Sequence, residues 1–213
     1  MLFKRKCKIT FIAHGSTIYT EEERLSDNES YPPLNDKGRE EAETLGKWIV
    51  RRSPRVDKII SSSALRCIQT ARIISKYYKA DYETLDSLYN KKVGSWSGMS
   101  YEQIEEKHPE MLENYHKKPS NYLPDGGETI LDFDLRIRNI LDEIVESNIT
   151  KRIIIITHPD VIRAAIRNAL DIPAENQNRI FIPPGSASQI NYYKDWDALV
   201  YCGHLPLREL KYL

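Results

Sequence analysis

The sequence predicts an α/β fold of three layers, α/β/α, around a mainly parallel, doubly wound sheet. Two observations predict it. Strand-like runs alternate along the chain with amphipathic segments, which is typical of βαβ units. Two of these runs, in residues 9–17 and 152–160, are rich in β-branched residues and deliver a histidine, His14 and His158, followed by a turn residue. Because ligands bind at the carboxyl ends of strands in open α/β sheets, we expect the two histidines to share one site.

Length and composition limit the classes of function. A chain of 213 residues fits a single domain, residues 1–213. It carries 31 basic and 31 acidic residues, so net charge predicts neither a nucleic-acid partner nor an anionic membrane surface. No segment approaches the roughly 18 apolar residues of a membrane span, and the N-terminal residues do not fit a signal peptide. Three cysteines, Cys7, Cys67 and Cys202, fit neither a metal motif nor a disulfide set and predict a cytoplasmic setting.

The N-terminal part continues the alternation after the first strand. Residues 19–33 are polar and aperiodic, which predicts a long loop. Asn35 or Asp36 is suited to cap the following helix. Four apolar residues recur on one face of that helix: Ala42, Leu45, Trp48 and Ile49. A strand at 56–60 that ends in three serines, a helix to about residue 78 and a short strand at 82–85 complete this part.

Residues 88–123 interrupt the alternation and predict a small helical lid inserted over the strand ends. Two glycines, Gly94 and Gly98, open the segment. Ser100 and Gln103 have the spacing of a capping box, and Pro109 is suited to the first position of a second helix.

The C-terminal part resumes the strands and helices. A turn is expected at 124–127, and Thr129 with Asp132 starts a long amphipathic helix. The second histidine strand is followed by a helix at about 160–170. Two strands, at 188–193 and 198–201, complete the sheet.

A third residue is expected to reach the two histidines. Arg66 comes just after a strand end, early in a helix. Arginine offers a planar fork of donors for phosphate oxygens, a neutral imidazole can act as a nucleophile, and helix N-termini add backbone donors. The sequence has neither a Walker glycine loop nor an acidic metal cluster. These residues indicate a metal-free phosphate site, and a merely structural pair of histidines stays open as the alternative.

Six segments give the chain a resemblance to a known family. They resemble, in order, the motifs of the histidine phosphatase superfamily, phosphoglycerate-mutase-like branch. The matching segments are residues 13–17, 34–42, 62–71, 94–98, 125–129 and 157–163. The resemblance spans nearly the whole chain and implies the α/β/α fold predicted above.

The resemblance implies a specific chemistry. His14 would be the nucleophile that becomes phosphohistidine, while His158 and Arg66 would bind the phosphoryl oxygens. The remaining substrate-binding positions would be Gly15, Ser16, Thr17 and Thr20. The substrate would be a small phosphorylated molecule, and the reaction would need no metal or other cofactor. The modest insertion resembles the phosphatases of the family more than its mutases.

The sequence departs from the family's pattern at two important positions. The arginine that precedes the nucleophilic histidine is Ala13 here, and the usual general-acid glutamate is Asn90. Losing one charge-assisted pair costs about 1.5–3 kcal/mol, and a missing general acid costs roughly 10²–10⁴ in rate. Thr20 also stands where the family often has a phosphate-binding asparagine. The activity implied by the resemblance is therefore expected to be weakened or specialised.

Two acidic residues are candidates for the missing proton donor. Asp160 lies two residues after His158, and Glu128 follows the Gly-Gly turn. Either could instead stabilise the first turn of a helix. Three functions stay open: a phosphomonoesterase acting through His14, a descendant that binds a phosphorylated ligand or a protein partner, and a site repurposed for a substrate without phosphate.

Overall fold

A computed structural model defines residues 6–27, 32–117, 119 and 124–206 of the chain. Six strands form one sheet in the order β3-β2-β4-β1-β5-β6. Their bounds are β1 Cys7–Ala13, β2 Lys58–Ser62, β3 Glu83–Leu85, β4 Arg152–Thr157, β5 Ala187–Tyr192 and β6 Asp197–His204. The first four strands run parallel, and β5 and β6 add an antiparallel edge beside β1. The sheet is therefore mainly parallel, as predicted.

Helices cover both faces of the sheet. Their bounds are α1 Ile18–Glu21, α2 Asp36–Arg52, α3 Leu65–Tyr78, α4 Tyr101–Lys107, α5 Pro109–Lys117, α6 Ile130–Glu146 and α7 Pro159–Leu170. Short 3₁₀ turns span Asp86–Leu88, Gly94–Trp96 and Ala174–Arg179. No helix in the described ranges is long and apolar enough to cross a membrane.

Alternation along the central strands builds two cores. In β1, Phe11 lies in the core formed with α6 and α7, whereas its neighbour Ile12 lies in the core formed with α2 and α3. Successive strand residues point to opposite faces, so a run that is apolar at every position must be buried on both. The three-layer α/β/α class predicted from the sequence is confirmed.

One predicted loop contains a helix. Residues 19–33 were expected to lack regular structure, but Ile18–Glu21 form α1. Thr17 and Thr20 cap each other reciprocally: each side-chain oxygen accepts from the other residue's backbone N–H. A threonine therefore takes the third helical position, where the capping-box pattern expects glutamate or glutamine. Residues 28–31 of the predicted loop lie outside the described residues.

The predicted bounds of the second strand are also shifted. The strand was expected at 56–60, but β2 spans Lys58–Ser62. Its serines belong to the strand because Ser61 and Ser62 pair with β3, and Ser61 also pairs with β4. The β-propensity pattern alone does not show this, since serine is a common turn residue.

The segment predicted as a lid has its own small core. Trp96, Ile104 and Leu112 pack together there, and α4 begins with the predicted capping box between Ser100 and Gln103. Residues 120–123, at the predicted end of the insertion, lie outside the described residues.

Candidate active site

Strand register brings the two histidines together. In the parallel pair β1 and β4, Ala13 lies opposite Thr157. His14 and His158, the next residue of each strand, therefore leave the sheet side by side, and the His14 backbone N–H donates to the Thr157 carbonyl at 2.9 Å. Their ring centroids are 5.5 Å apart in an edge-to-face arrangement. Both rings are almost completely buried.

Arg66 connects the two rings. It lies in the first turn of α3, directly after the end of β2, and is only 1% exposed. Its Nε donates to His14 Nε2 at 3.2 Å, and its Nη2 donates to His158 Nδ1 at 3.1 Å. The structure thus brings together the three residues that the sequence predicted for the phosphoryl site.

The hydrogen bonds assign the tautomers of both rings. A guanidinium only donates, so each ring nitrogen that faces Arg66 must carry a lone pair. The other nitrogen of His14, Nδ1, donates to the Gly15 carbonyl at 2.9 Å. The other nitrogen of His158, Nε2, donates to Ser62 Oγ at 3.0 Å. The lone pair of His14 therefore lies on Nε2 and faces the guanidinium.

Burial keeps both histidines neutral. Desolvation, reinforced by the charge of Arg66, lowers the pKa of His14 to about 3, and Asp160 opposes this shift. The same two causes hold the pKa of His158 well below its ordinary value. Burial also raises the pKa of the nearby Cys67 thiol to about 12. At neutral pH the site therefore offers an unprotonated imidazole and no thiolate.

The turn after His14 requires close contact between two backbones. A Cβ on Gly15 would lie 2.3 Å from the Gly38 carbonyl oxygen, and a Cβ on Gly38 would lie 2.1 Å from the Ser16 carbonyl oxygen. The Gly15 N–H donates to Thr70 Oγ1 at 3.2 Å. Only glycine fits at these two positions, which fixes the start of α2 against the turn.

The other predicted substrate-binding residues bond to the protein itself. The Ser16 N–H and Oγ donate to the Glu41 carboxylate at 2.8 and 2.9 Å, and Thr17 and Thr20 cap α1. Ser16, Thr20 and Glu41 line a cavity of about 430 Å³. These residues border the site, but their polar groups have protein partners.

The two departures from the family's pattern are both buried. Ala13 is fully buried, and its N–H donates to the Ser186 carbonyl at 3.0 Å. The Asn90 side chain donates to the Ser26 carbonyl at 2.7 Å. Asn90 Oδ1 is buried and has no hydrogen-bond partner among the described residues. Asn90 therefore holds the backbone at Ser26 in place through this hydrogen bond, and its amide cannot act as a general acid.

The two candidate acids lie in different surroundings. Glu128 receives two hydrogen bonds from Arg136, at 2.8 and 2.9 Å. Asp160 pairs with Arg163 at 2.8 Å and acts electrostatically on His14. Of the two predicted candidates, Asp160 is the one that influences the histidine predicted to be the nucleophile.

Sequence reasoning missed Asp27. This residue is 4% exposed, and its Oδ1 accepts a hydrogen bond from Ser97 Oγ at 2.9 Å. Arg66 Nη2 approaches the Asp27 carbonyl oxygen at 3.5 Å, and the Asp27 charge favours the cationic form of Arg66. No sequence signal could have indicated it, because it lies in an aperiodic polar stretch outside every motif.

Metal-ligating side chains do not cluster in the part of the chain that the structure describes: it contains no group of three or more histidine, cysteine or acidic residues arranged to hold an ion.

Relatives in several organisms resemble this chain. Fructose-2,6-bisphosphatase of Saccharomyces cerevisiae is 26% identical over 170 residues, 80% of this chain and 36% of that protein. Phosphoserine phosphatase 1 of Hydrogenobacter thermophilus is 26% identical over 133 residues, 62% of each chain. The chain spans about half the length of other curated relatives, such as a bifunctional protein of Mycobacterium tuberculosis that is 25% identical over 188 residues, 88% of this chain and 51% of that protein.

Solved structures share the fold. YhfR of Bacillus stearothermophilus superposes with a TM-score of 0.85 at 22% identity, over 92% of this chain and 96% of that one. A mycobacterial glucosyl-3-phosphoglycerate phosphatase, solved with VO3, superposes with a TM-score of 0.78 at 21% identity, over 88% and 96%. The family model of the histidine phosphatase superfamily, branch 1, matches residues 9–203. The chain belongs to that superfamily.

Proposed function

We propose that the protein hydrolyses a small phosphomonoester, or transfers its phosphoryl group, through a phosphohistidine on His14 and without a metal. One observation carries the proposal. In a buried site, His14 Nδ1 is bound to the Gly15 carbonyl, while the lone pair of Nε2 faces Arg66. A neutral imidazole with an oriented lone pair beside a guanidinium is suited to attack phosphorus.

Each of the three residues has a distinct part in the proposed reaction. His14 Nε2 attacks the phosphorus atom, and the bond to the leaving oxygen breaks. Arg66 first gives up its hydrogen bond to Nε2, and its N–H groups then bind the phosphoryl oxygens. His158, held by Ser62 and Arg66, borders those oxygens. Water then attacks the phosphohistidine, releases phosphate and restores His14.

Ala13 and Asn90 make the proposed activity weakened or specialised. Without an arginine at position 13, Arg66 is the one cation that hydrogen-bonds to either histidine in the described part of the chain. Asn90 cannot give a proton to the leaving group. Relatives named as phosphatases support a phosphatase-type reaction.

The first prediction is a phosphohistidine at residue 14. We expect a reactive phosphoryl donor to add one phosphoryl group, measured as intact mass, because Nε2 is neutral and oriented. The adduct should be acid-labile, absent in His14→Ala and present in His108→Ala, whose ring is exposed. An adduct that persists in His14→Ala would contradict the assignment.

A second function is favoured by one observation. The guanidinium of Arg66 already donates to the lone pair of His14, which suits a site that binds an anion without reacting. Failure to form any adduct, together with phosphate binding that depends on Arg66, would establish the binding function instead. Failure of both would favour a substrate without phosphate.

A further inference from the structure

Acidic groups lie near the cations that surround the site. Both histidines are neutral, so Arg66 supplies the positive charge that contacts them. The Asp27 backbone carbonyl lies 3.5 Å from Arg66 Nη2, while the buried Asp27 carboxylate accepts from Ser97 and acts electrostatically on Arg66. The other cations near the histidines are paired as well: Arg163 with Asp160, and Arg136 with Glu128.

This arrangement of charges is poorly suited to binding a phosphate dianion. A dianion that enters the site meets a single guanidinium on which the Asp27 carboxylate already acts, and the second arginine implied by the family resemblance is Ala13. Glu41 also faces the turn after His14 through Ser16. A phosphoryl group with a single negative charge would meet less repulsion, because nearby like charges disfavour the more highly charged form of an ionisable group.

The absence of a general acid also favours a substrate whose phosphoryl group carries a single negative charge. The leaving oxygen needs a proton unless its own pKa is low. Asn90 has none to give, and its Nδ2 is committed to the Ser26 carbonyl. A phosphomonoester monoanion carries a proton on one of its own oxygens, next to the leaving group.

We propose that this site takes its phosphomonoester as the monoanion, whose own proton passes to the leaving oxygen. The inference rests on the proposed function and explains Ala13 and Asn90 together. One fewer charge on the substrate removes the need for a second arginine. A proton carried by the substrate removes the need for a glutamate at position 90.

The step balances in atoms and charge. His14 Nε2 forms a bond to phosphorus, the bond from phosphorus to the leaving oxygen breaks, and the P–OH proton moves to that oxygen, which leaves as an alcohol. His14 keeps its proton on Nδ1, so the phosphohistidine has a cationic ring and a dianionic phosphoryl group. Water then attacks phosphorus and yields dihydrogen phosphate and neutral His14.

The nucleophile suits the pH at which the monoanion is abundant. The second pKa of a phosphomonoester is about 6, so the monoanion prevails in mildly acidic solution. An exposed histidine would be largely protonated there. His14, with a pKa near 3 because of burial, keeps its lone pair under these conditions.

Several other titratable groups on the surrounding elements interact with the site residues or with Tyr101 beside Asp160, and their influence must be separated from that of the substrate. They are Glu23 after α1, Glu41 on α2, Cys67 on α3, Tyr101 on α4, Arg136 on α6, and Asp160 and Arg163 on α7.

The second prediction is a pH profile that follows the substrate. The test is to measure kcat/KM of the wild-type protein between about pH 4.5 and 8.5 for two aryl phosphates with different second phosphate pKa values. We expect kcat/KM to fall about tenfold per pH unit above that pKa, with a midpoint that moves with the substrate. A midpoint that stays fixed when the substrate changes, or a rate that rises with dianion formation, would overturn the proposal.

Substitution of Asp27 provides an independent test of the monoanion proposal. Asp27→Asn removes the carboxylate charge that acts on Arg66, so the ratio of kcat/KM at high pH to that at low pH should rise by about tenfold or more. Glu22→Gln is the matched control, since Glu22 lies on the same segment but is exposed, and its ratio should not change. An unchanged ratio in a folded Asp27→Asn protein would contradict the charge argument. If this variant fails to fold, the pH profile of kcat/KM of the wild-type protein alone tests the proposal.

The adduct experiment separates the two proposals. A phosphohistidine on His14 together with a midpoint fixed at an enzyme pKa would remove the monoanion inference and keep the proposed function. Asp160→Asn would then test Asp160 as the acid that titrates. Absence of both adduct and turnover across the pH range would remove the proposed function and the inference with it.

Discussion

Arg66 sets the chemistry of the site at the scale of single residues. Its Nε and Nη2 each face a ring nitrogen, one on each histidine, and so place a lone pair on both. The fork geometry matters as much as the charge, because an ammonium group at the end of a flexible stem does not present two fixed N–H vectors. The same guanidinium lies 3.5 Å from the Asp27 carbonyl oxygen, and the charge of this residue, which lies outside the family's motifs, favours the cationic form of Arg66.

The third prediction concerns the missing arginine. Ala13→Arg should place a guanidinium beside His14 and stabilise the transition state of a dianionic substrate by roughly 2–4 kcal/mol, or about 30- to 1,000-fold in rate. The gain should be greatest at high pH, where the dianion prevails. It would be measured as kcat/KM for an aryl and an alkyl phosphate. Asn90→Glu should add to it mainly for the alkyl phosphate, which needs the proton.

Ala13 is fully buried, so the effect of the new charge must be distinguished from the effect of the larger side chain. Ala13→Met adds a long uncharged side chain at the same position and should give no gain. Thermal unfolding of both variants reports whether they fold. A folded Ala13→Arg protein whose rates stay at background would show that the pocket no longer accepts the family's arrangement.

At the scale of elements, two glycines hold the nucleophile turn against a helix. Gly15 follows His14, and Gly38 lies in the first turn of α2, where its N–H donates to the capping Asn35 Oδ1 at 2.8 Å. The two backbones are too close for a Cβ on either side. This explains why a glycine stands near the start of a helix, where it otherwise weakens the helix by about 1 kcal/mol.

The fourth prediction tests this contact. Gly38→Ala should destabilise the protein by about 1–3 kcal/mol, despite the better helix propensity of alanine, because its Cβ meets the Ser16 backbone. It should also lower activity, since Ser16 lies two residues after His14. Urea unfolding measures the first effect and kcat/KM the second. Lys47→Ala, at an exposed position of the same helix, should stay within about 0.5 kcal/mol of wild type, and a Gly38→Ala protein as stable as that control would refute the contact.

At the scale of the whole molecule, the sequence contained the order of strands and helices but not the contacts between distant segments. The β-branched runs predicted β1 and β4, and their terminal histidines predicted the shared site, because parallel strands end at the same edge. The register of Ala13 against Thr157 cannot be read from either run alone. Asp27 and the pairing of Glu128 with Arg136 arise from tertiary packing. Neither has a local pattern, since a buried charge is recognisable only once its partner is known.

The fifth prediction follows from the burial of His14 and concerns the stability of the whole chain. The pKa of His14 falls from an ordinary 6.5 to about 3 on folding. Between these values the unfolded chain binds a proton that the folded chain does not, so stability must rise with pH in this window. The contribution of His14 is fully present above pH 6.5 and is lost progressively as the pH falls towards 3. The slope approaches about 1.4 kcal/mol per pH unit.

Comparison with His14→Asn isolates that contribution, because asparagine can still donate to the Gly15 carbonyl but does not titrate. Urea unfolding at several pH values should show the wild-type free energy of unfolding falling by roughly 2–3 kcal/mol relative to the variant between pH 6.5 and 4.5. His108→Asn serves as the control, since His108 is exposed and its ring meets solvent in both states. A difference between wild type and His14→Asn that stays constant across this range would mean that the nucleophile turn admits water. The neutral, oriented imidazole on which the proposed chemistry depends would then lose its physical basis.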